Sequence, residues 1–173
     1  MSMKHPIHQS PKSGERGFTL LLAALVSSIV LALGASIFAL AQKEVTLSSI
    51  GRDSQFAFYA ADAAAECALY WDFRFDYFAT STPPDVNPTC DGQPLSASPP
   101  SDDYPYTMES AKINIFQDVE PAGNFCVQVF VTKSLDPITS ALRTVIHADG
   151  YSVNCAAIQT SSRALQRSVE LHY

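Results

Sequence analysis

Between Phe18 and Ala41 the chain carries 24 consecutive residues without a charge. At about 1.5 Å of rise per residue, a helix of that length extends roughly 36 Å, enough to cross a hydrocarbon core with some tilt. Lys4, Lys12 and Arg16 precede the run. The positive-inside rule then places the N-terminus in the cytoplasm and the bulk of the chain outside. Three fates are open to such a segment. It is removed as an export signal at Ala39-Leu40-Ala41, releasing a soluble protein that begins at Gln42. It stays as the single-pass anchor of an extracytoplasmic binding domain that never polymerises. Or it is an anchor that later becomes the spine of a polymer.

The remaining length suits one modest domain. Residues 1–17 contain Lys4, Lys12, Arg16 and Glu15, a net of +2, and the rest has eight Lys and Arg against sixteen Asp and Glu, a net of −8. A surface of that sign repels phosphate backbones, so no nucleic-acid partner is expected. The cysteines, Cys67, Cys90, Cys126 and Cys155, all follow the apolar run, are even in number and form no close pair. That pattern points to two disulfides in an oxidising compartment and away from zinc. Three pairings are possible. Cys67–Cys90 with Cys126–Cys155 is favoured, because each bridge closes a loop of a few tens of residues, worth about 3 kcal/mol in the chain-entropy model.

No proline interrupts the chain from Phe18 until Pro83. The segment "QKEVTLSSIGRDSQFAFYAADAAAECALYWDF" therefore continues the helix beyond Ala41, as an amphipathic stretch over 42–77 that ends between Trp71 and Tyr77. Ile50, Ala57, Ala60, Ala64, Cys67 and Trp71 form one stripe, and Phe56, Tyr59, Ala63 and Tyr70 widen it. Tyr70 and Trp71 are expected to cover the sheet. Asp62 and Glu66, one turn apart, read as an exposed polar face. Gly34 is either a tolerated helix glycine or a close-packing point against another membrane helix.

Residues 78–110 include seven prolines with many Ser, Thr and Asp, and read as a surface loop tethered through Cys90 to Cys67. Its Asp85, Asp91, Asp102 and Asp103 read as solvated acids, without the spacing of a calcium loop. From 111 to 173, alternating apolar and polar runs predict strands over 111–119, 124–133, 142–153 and 164–173. Turn signals at Pro121-Ala122-Gly123, at Asp136-Pro137 and around Ser161 favour an antiparallel meander. The expected fold class is α+β, a long helix packed on a small antiparallel sheet, with Cys126 and Cys155 on separate strands.

No H-E-x-x-H, G-x-S-x-G or Walker pattern occurs. His5 and His8 precede the apolar run, and His147 and His172 fall on predicted strands as edge or surface residues. No enzyme, metal or cofactor is expected.

The stretch "RGFTLLLA" resembles the class III signal of type IV pilins and type II secretion pseudopilins, and "AFYAADAAAECALYWD" is similar to a segment of PilX-type minor pilins. The resemblance implies a leader, residues 1–17, cut by a prepilin peptidase between Gly17 and Phe18, with methylation of the new Phe18 amine. Thr19 and Leu20 follow the family pattern. The helix over 18–41 would be retained, held first in lipid and then packed against other pilin subunits through an inner-membrane assembly platform, with the head at the cell surface. The chain departs from the pattern at the fifth mature position, where Leu22 replaces the usual Glu. In the family that carboxylate neutralises the terminal amine of the subunit above it, so Leu22 implies a place at or near a filament tip.

Overall fold

In the computed structural model, residues 15–79, 86–97, 103–118 and 123–173 are described. Most of the leader, together with Asp85, Asp102 and the Pro121-Ala122 turn, lies outside them. The chain divides into two units, Met1–Ser48 and Ser49–Tyr173. One helix, α1 (Glu15–Phe75), contributes to both. The strands all belong to the second unit: β1 (Thr89–Cys90), β2 (Gln93–Pro94), β3 (Tyr106–Glu109), β4 (Ile113–Ile115), β5 (Phe125–Leu135), β6 (Leu142–Tyr151) and β7 (Gln166–His172).

The first unit is the apolar part of α1. An 18-residue window within the helix reaches a mean hydropathy of 2.5, and none of that window is buried. Two hydroxyls in it turn inward on their own helix. Ser28 Oγ donates to the Leu25 carbonyl at 2.8 Å and Ser36 Oγ to the Ala32 carbonyl at 2.7 Å. These two side chains are thereby satisfied within the helix, as suits a helix in hydrocarbon. By length and composition this helix is able to cross a membrane.

The second unit is α+β, with α1 packed on one face of an antiparallel sheet. The sheet order is β3–β5–β6–β7, and β4 pairs with β5 along the edge that β3 also uses. The β5–β6 hairpin is the backbone of the sheet, with ten paired positions from Cys126↔Tyr151 to Leu135↔Leu142. Its turn is set by Asp136, whose Oδ1 accepts from the backbone N–H groups of Ile138 and Thr139, both at 2.9 Å. An Asx arrangement of this kind substitutes a side chain for the missing backbone acceptor.

Helix and sheet meet through small residues. Ala57, Ala60, Ala61, Ala64, Ala65 and Ala68 recur at intervals of three and four and are all buried. Facing them are Val127, Val129 and Val131 of β5, Ile146 and Ala148 of β6, and Val169 and Leu171 of β7. Gly150 of β6 makes the closest approach. A Cβ built there would lie 2.2 Å from the Ala57 carbonyl oxygen and 2.5 Å from the Ala61 nitrogen. The alanines thus contribute proximity, while the larger burial gain, about 1.5–3 kcal/mol for each fully buried branched side chain, comes from the sheet side.

Two bridges fasten segments to this core. Cys67–Cys90 ties the β1–β2 ribbon to the helix, and Cys126–Cys155 ties the start of β5 to the short 3-10 turn Cys155–Ala157.

The structure departs from the sequence reading at definite points. Cys155 lies on the 3-10 turn and not on a strand, because β6 ends at Tyr151 and Asn154 caps the turn by accepting from the Ala157 N–H. The expected loop over 78–110 holds three short strands, since Tyr106 and Met108 alternate inward against the core and recruit β3 to the β5 edge. Tyr59 and Tyr70 are exposed, because they fall on the side of the helix roughly opposite the alanine face; Ile50 is exposed although it points the same way as that face, seven residues before Ala57. Trp71 turns to the β1–β2 segment, where its Nε1 donates to the Thr89 carbonyl at 3.0 Å.

Gly150→Ala is expected to destabilise the full chain in detergent by about 3 kcal/mol, as overpacking against backbone does. Ala61→Gly should not restore it, because the first clash is with a carbonyl. Chemical denaturation of the single and double variants, monitored by near-UV circular dichroism, reads both outcomes.

Candidate functional site

The residues expected to carry processing lie at the start of α1. Gly17 and Phe18 fall in its first turns, and Phe18 and Leu22 are both exposed in the isolated chain. The first N–H groups of a helix lack intrahelical acceptors, so this end is held by fewer backbone bonds than the helix interior. Leu22 lies on an uncharged helical surface whose neighbours Leu21, Leu25 and Val26 are also exposed.

Three groups of polar side chains described in the second unit carry ionisable residues in ion pairs. The first sits where α1, β5 and the last residue of the chain meet. Lys133 Nζ lies 2.8 Å from Asp72 Oδ1, with both side chains 3% exposed, and 3.7 Å from Asp76. The ammonium approaches Oδ1 without the alignment of a hydrogen bond, so this contact is chiefly Coulombic. The Tyr173 hydroxyl donates to Asp72 Oδ2. Burial, then the hydrogen bond to Asp72, pushes the Tyr173 phenol up. The nearby Tyr106 phenol is also pushed up, by burial first, and donates to the Phe78 carbonyl at 2.7 Å. Lys133 is thus enclosed by carboxylates, which makes it a clamp and leaves no free amine for chemistry.

Asp76 also ends the helix. Its backbone is left-handed, at φ 50°, its N–H donates to the Asp72 carbonyl at 2.8 Å, and Tyr77 N–H reaches the Trp71 carbonyl at 3.3 Å. These bonds use carbonyls that the end of a helix otherwise leaves open.

The second group crosses β6 and β7 on the sheet face away from the helix. Asp149 Oδ1 lies 3.1 Å from His147 Nε2, Glu170 Oε2 lies 3.3 Å from His147 Nδ1, and His172 Nε2 lies 2.7 Å from Glu170 Oε1. Hydrogen bonds from His147 and then His172 hold the Glu170 carboxyl below its ordinary range. Ser168 Oγ donates to Asp149 and not to an imidazole. His147 is on an inner strand, and only His172 is on the sheet edge. Among the described residues no three His, Cys, Asp or Glu side chains converge on a common metal position. Asp91 of the expected loop acids accepts from the Phe116 N–H.

The third group is the hairpin turn, where the backbone N–H groups of Thr139 and then Ile138, with Arg143 further out, hold Asp136 below the usual carboxylate range.

The clamp was absent from the sequence reading, yet its signal is present there. Lys133 has the same parity as Val127, Val129 and Val131 along β5, and Asp72 follows Ala64 and Ala68 at helical spacing. No family model, curated protein or solved structure matches the chain.

Two outcomes are expected. Lys133→Met alone should cost about 3–5 kcal/mol by leaving Asp72 buried and unpaired, and Asp72→Leu combined with it should recover most of that loss. Urea denaturation of the cycle measures the coupling. For acid, the folded values of Asp136 and Glu170 are depressed. Their stabilisation is therefore present above the unfolded carboxylate range, about pH 4, and is lost as pH falls through the folded values. Asp136→Asn should flatten the acid limb of the stability–pH curve and leave its shape above about pH 6 unchanged.

Proposed function

We propose that this chain is a minor pilin-like structural subunit of a type IV pilus or a related secretion filament. The observation that supports the reading is the juxtaposition of Gly17-Phe18-Thr19-Leu20 with an uncharged, fully exposed helical run. The same helix, past Ser48, packs on a disulfide-linked antiparallel sheet. An exposed apolar helix needs either lipid or other helices around it, and a filament supplies the second after the first.

In this account the work of the protein is assembly. The N-terminal helix exchanges lipid contacts for helix–helix contacts, and its partners are other pilin subunits, a prepilin peptidase and an inner-membrane assembly platform. Leu22 governs position. A subunit with an apolar side chain there does not offer a carboxylate to the terminal amine of a subunit above it, and an unpaired amine in apolar surroundings is costly. The subunit therefore fits where nothing precedes it, at or near the tip.

Filaments sheared from cells of the source organism and probed with antibody to the head test this. The wild-type chain should label filament ends sparsely, and Leu22→Glu should spread label along the shaft. Absence of both variants from the sheared fraction, with the full amount in the membrane, would leave a single-pass anchored binding domain instead.

A further inference from the structure

The strand β7 ends the sheet on one side, and among the described residues nothing pairs with its outer edge. Thr144 and Tyr173 exchange both backbone hydrogen bonds, at 2.8 and 3.1 Å. Alternation along an antiparallel ladder then turns the N–H and C=O groups of Ser168, Glu170 and His172 away from β6, toward the open edge. The edge has seven residues, without proline or bulge. Natural sheets usually protect such an edge.

The helix extends alongside this edge. Arg167 Nε donates to Ser54 Oγ at 2.7 Å and the Tyr173 hydroxyl reaches Asp72, so β7 follows α1 from Ser54 to Asp72. Next to β7 lies an open, largely apolar groove of about 680 Å³, whose helical wall is Glu66, Leu69, Tyr70 and Phe73 and whose strand wall includes Leu171 and Tyr173. Phe73 is 84% exposed and Tyr70 is 55% exposed. Aromatic side chains this open are rarely left without a partner, and here they border a free strand edge.

We propose that this edge and groove accept an extended strand from another protein, apolar on the side that meets Tyr70 and Phe73 and bearing Lys or Arg. Backbone bonds to β7 would supply affinity, and the helix wall would supply side-chain selection. The charge preference follows from the walls. Glu66 lines the groove, and Asp62 lies one turn before it on the same helix face. The chain after Gly17 has a net charge of −8, which disfavours a second copy of this head as the occupant. The inference goes beyond the filament reading and does not rest on it, since it concerns the second unit alone.

The test uses the full chain in lipid nanodiscs and two eight-residue peptides, one alternating Val with Lys and one alternating Val with Glu. The Lys peptide should bind at least roughly tenfold tighter than the Glu peptide. Hydrogen–deuterium exchange should show new protection at Ser168, Glu170 and His172. Phe73→Ser removes an exposed aromatic side chain without adding charge, and Ser168→Pro removes an outward N–H together with the Ser168–Asp149 side-chain bond and leaves the backbone ladder to β6 in place. Each should weaken binding by roughly tenfold or more. Binding of the Lys peptide that is unchanged by Phe73→Ser, or that protects no β7 amide, would overturn the proposal by reducing it to diffuse attraction. So would self-association of the chain that Phe73→Ser abolishes, which would give the groove to a second copy.

Discussion

The head depends on how closely α1 approaches its sheet. Six buried alanines on one helix face, and Gly150 opposite Ala57 and Ala61, let the two backbones come together at a distance that no larger side chain permits. Everything else in the second unit is arranged around that contact. The valines of β5 and Ile146 of β6 fill the space on either side of the alanine face, and Phe56 stacks on Phe125 with ring centroids 5.3 Å apart. The aromatic residues of the helix are therefore divided. Phe56 and Trp71 are partly covered, while Phe58, Tyr59, Tyr70 and Phe73 are turned out.

A contact made of small side chains buries little area per residue, so its margins need other restraints. The Cys67–Cys90 bridge and the Trp71 hydrogen bond hold the β1–β2 segment on the helix. The Cys126–Cys155 bridge holds the 3-10 turn that follows β6 against the start of β5. At the C-terminal end of α1, the clamp of Lys133, Asp72 and Tyr173 joins helix, sheet and chain end. A buried ion pair is a poor source of net stability, because desolvation offsets the attraction. Its contribution is selectivity of arrangement: any packing that separates Lys133 from Asp72 leaves two buried charges unpaired.

Much of this was legible in the residues. The absence of proline between Phe18 and Pro83 and the alanine spacing give the long helix, and the alternation in "NFCVQVFVTK" gives β5 to within a few residues. What was less legible has physical causes. Tyr70 and Trp71 are both apolar and adjacent, and only the sheet decides which of them is covered. The strand β3 lies in a proline-rich context and is stabilised by pairing with β5, a long-range interaction that local pattern does not report. The end of β6 was misplaced because Ser152 and Val153 continue the alternation, although the chain turns toward Asn154 and Cys155. Lys133 was overlooked because a charge on a strand is ordinarily assigned outward.

The functional account joins an apolar helix that is exposed along its length to a small head stabilised by bridges and a clamp. A chain built this way needs a hydrophobic environment for one part and an oxidising one for the other, and the proposed filament, starting in a membrane, would provide both. The central claim is that the helix is retained after removal of a short leader. Intact mass and N-terminal sequencing of the protein isolated from its own membranes test it most directly. The account predicts a chain that begins at N-methylated Phe18. A chain that begins at Met1, as an ordinary anchor, or at Gln42, as an exported soluble protein, would contradict it.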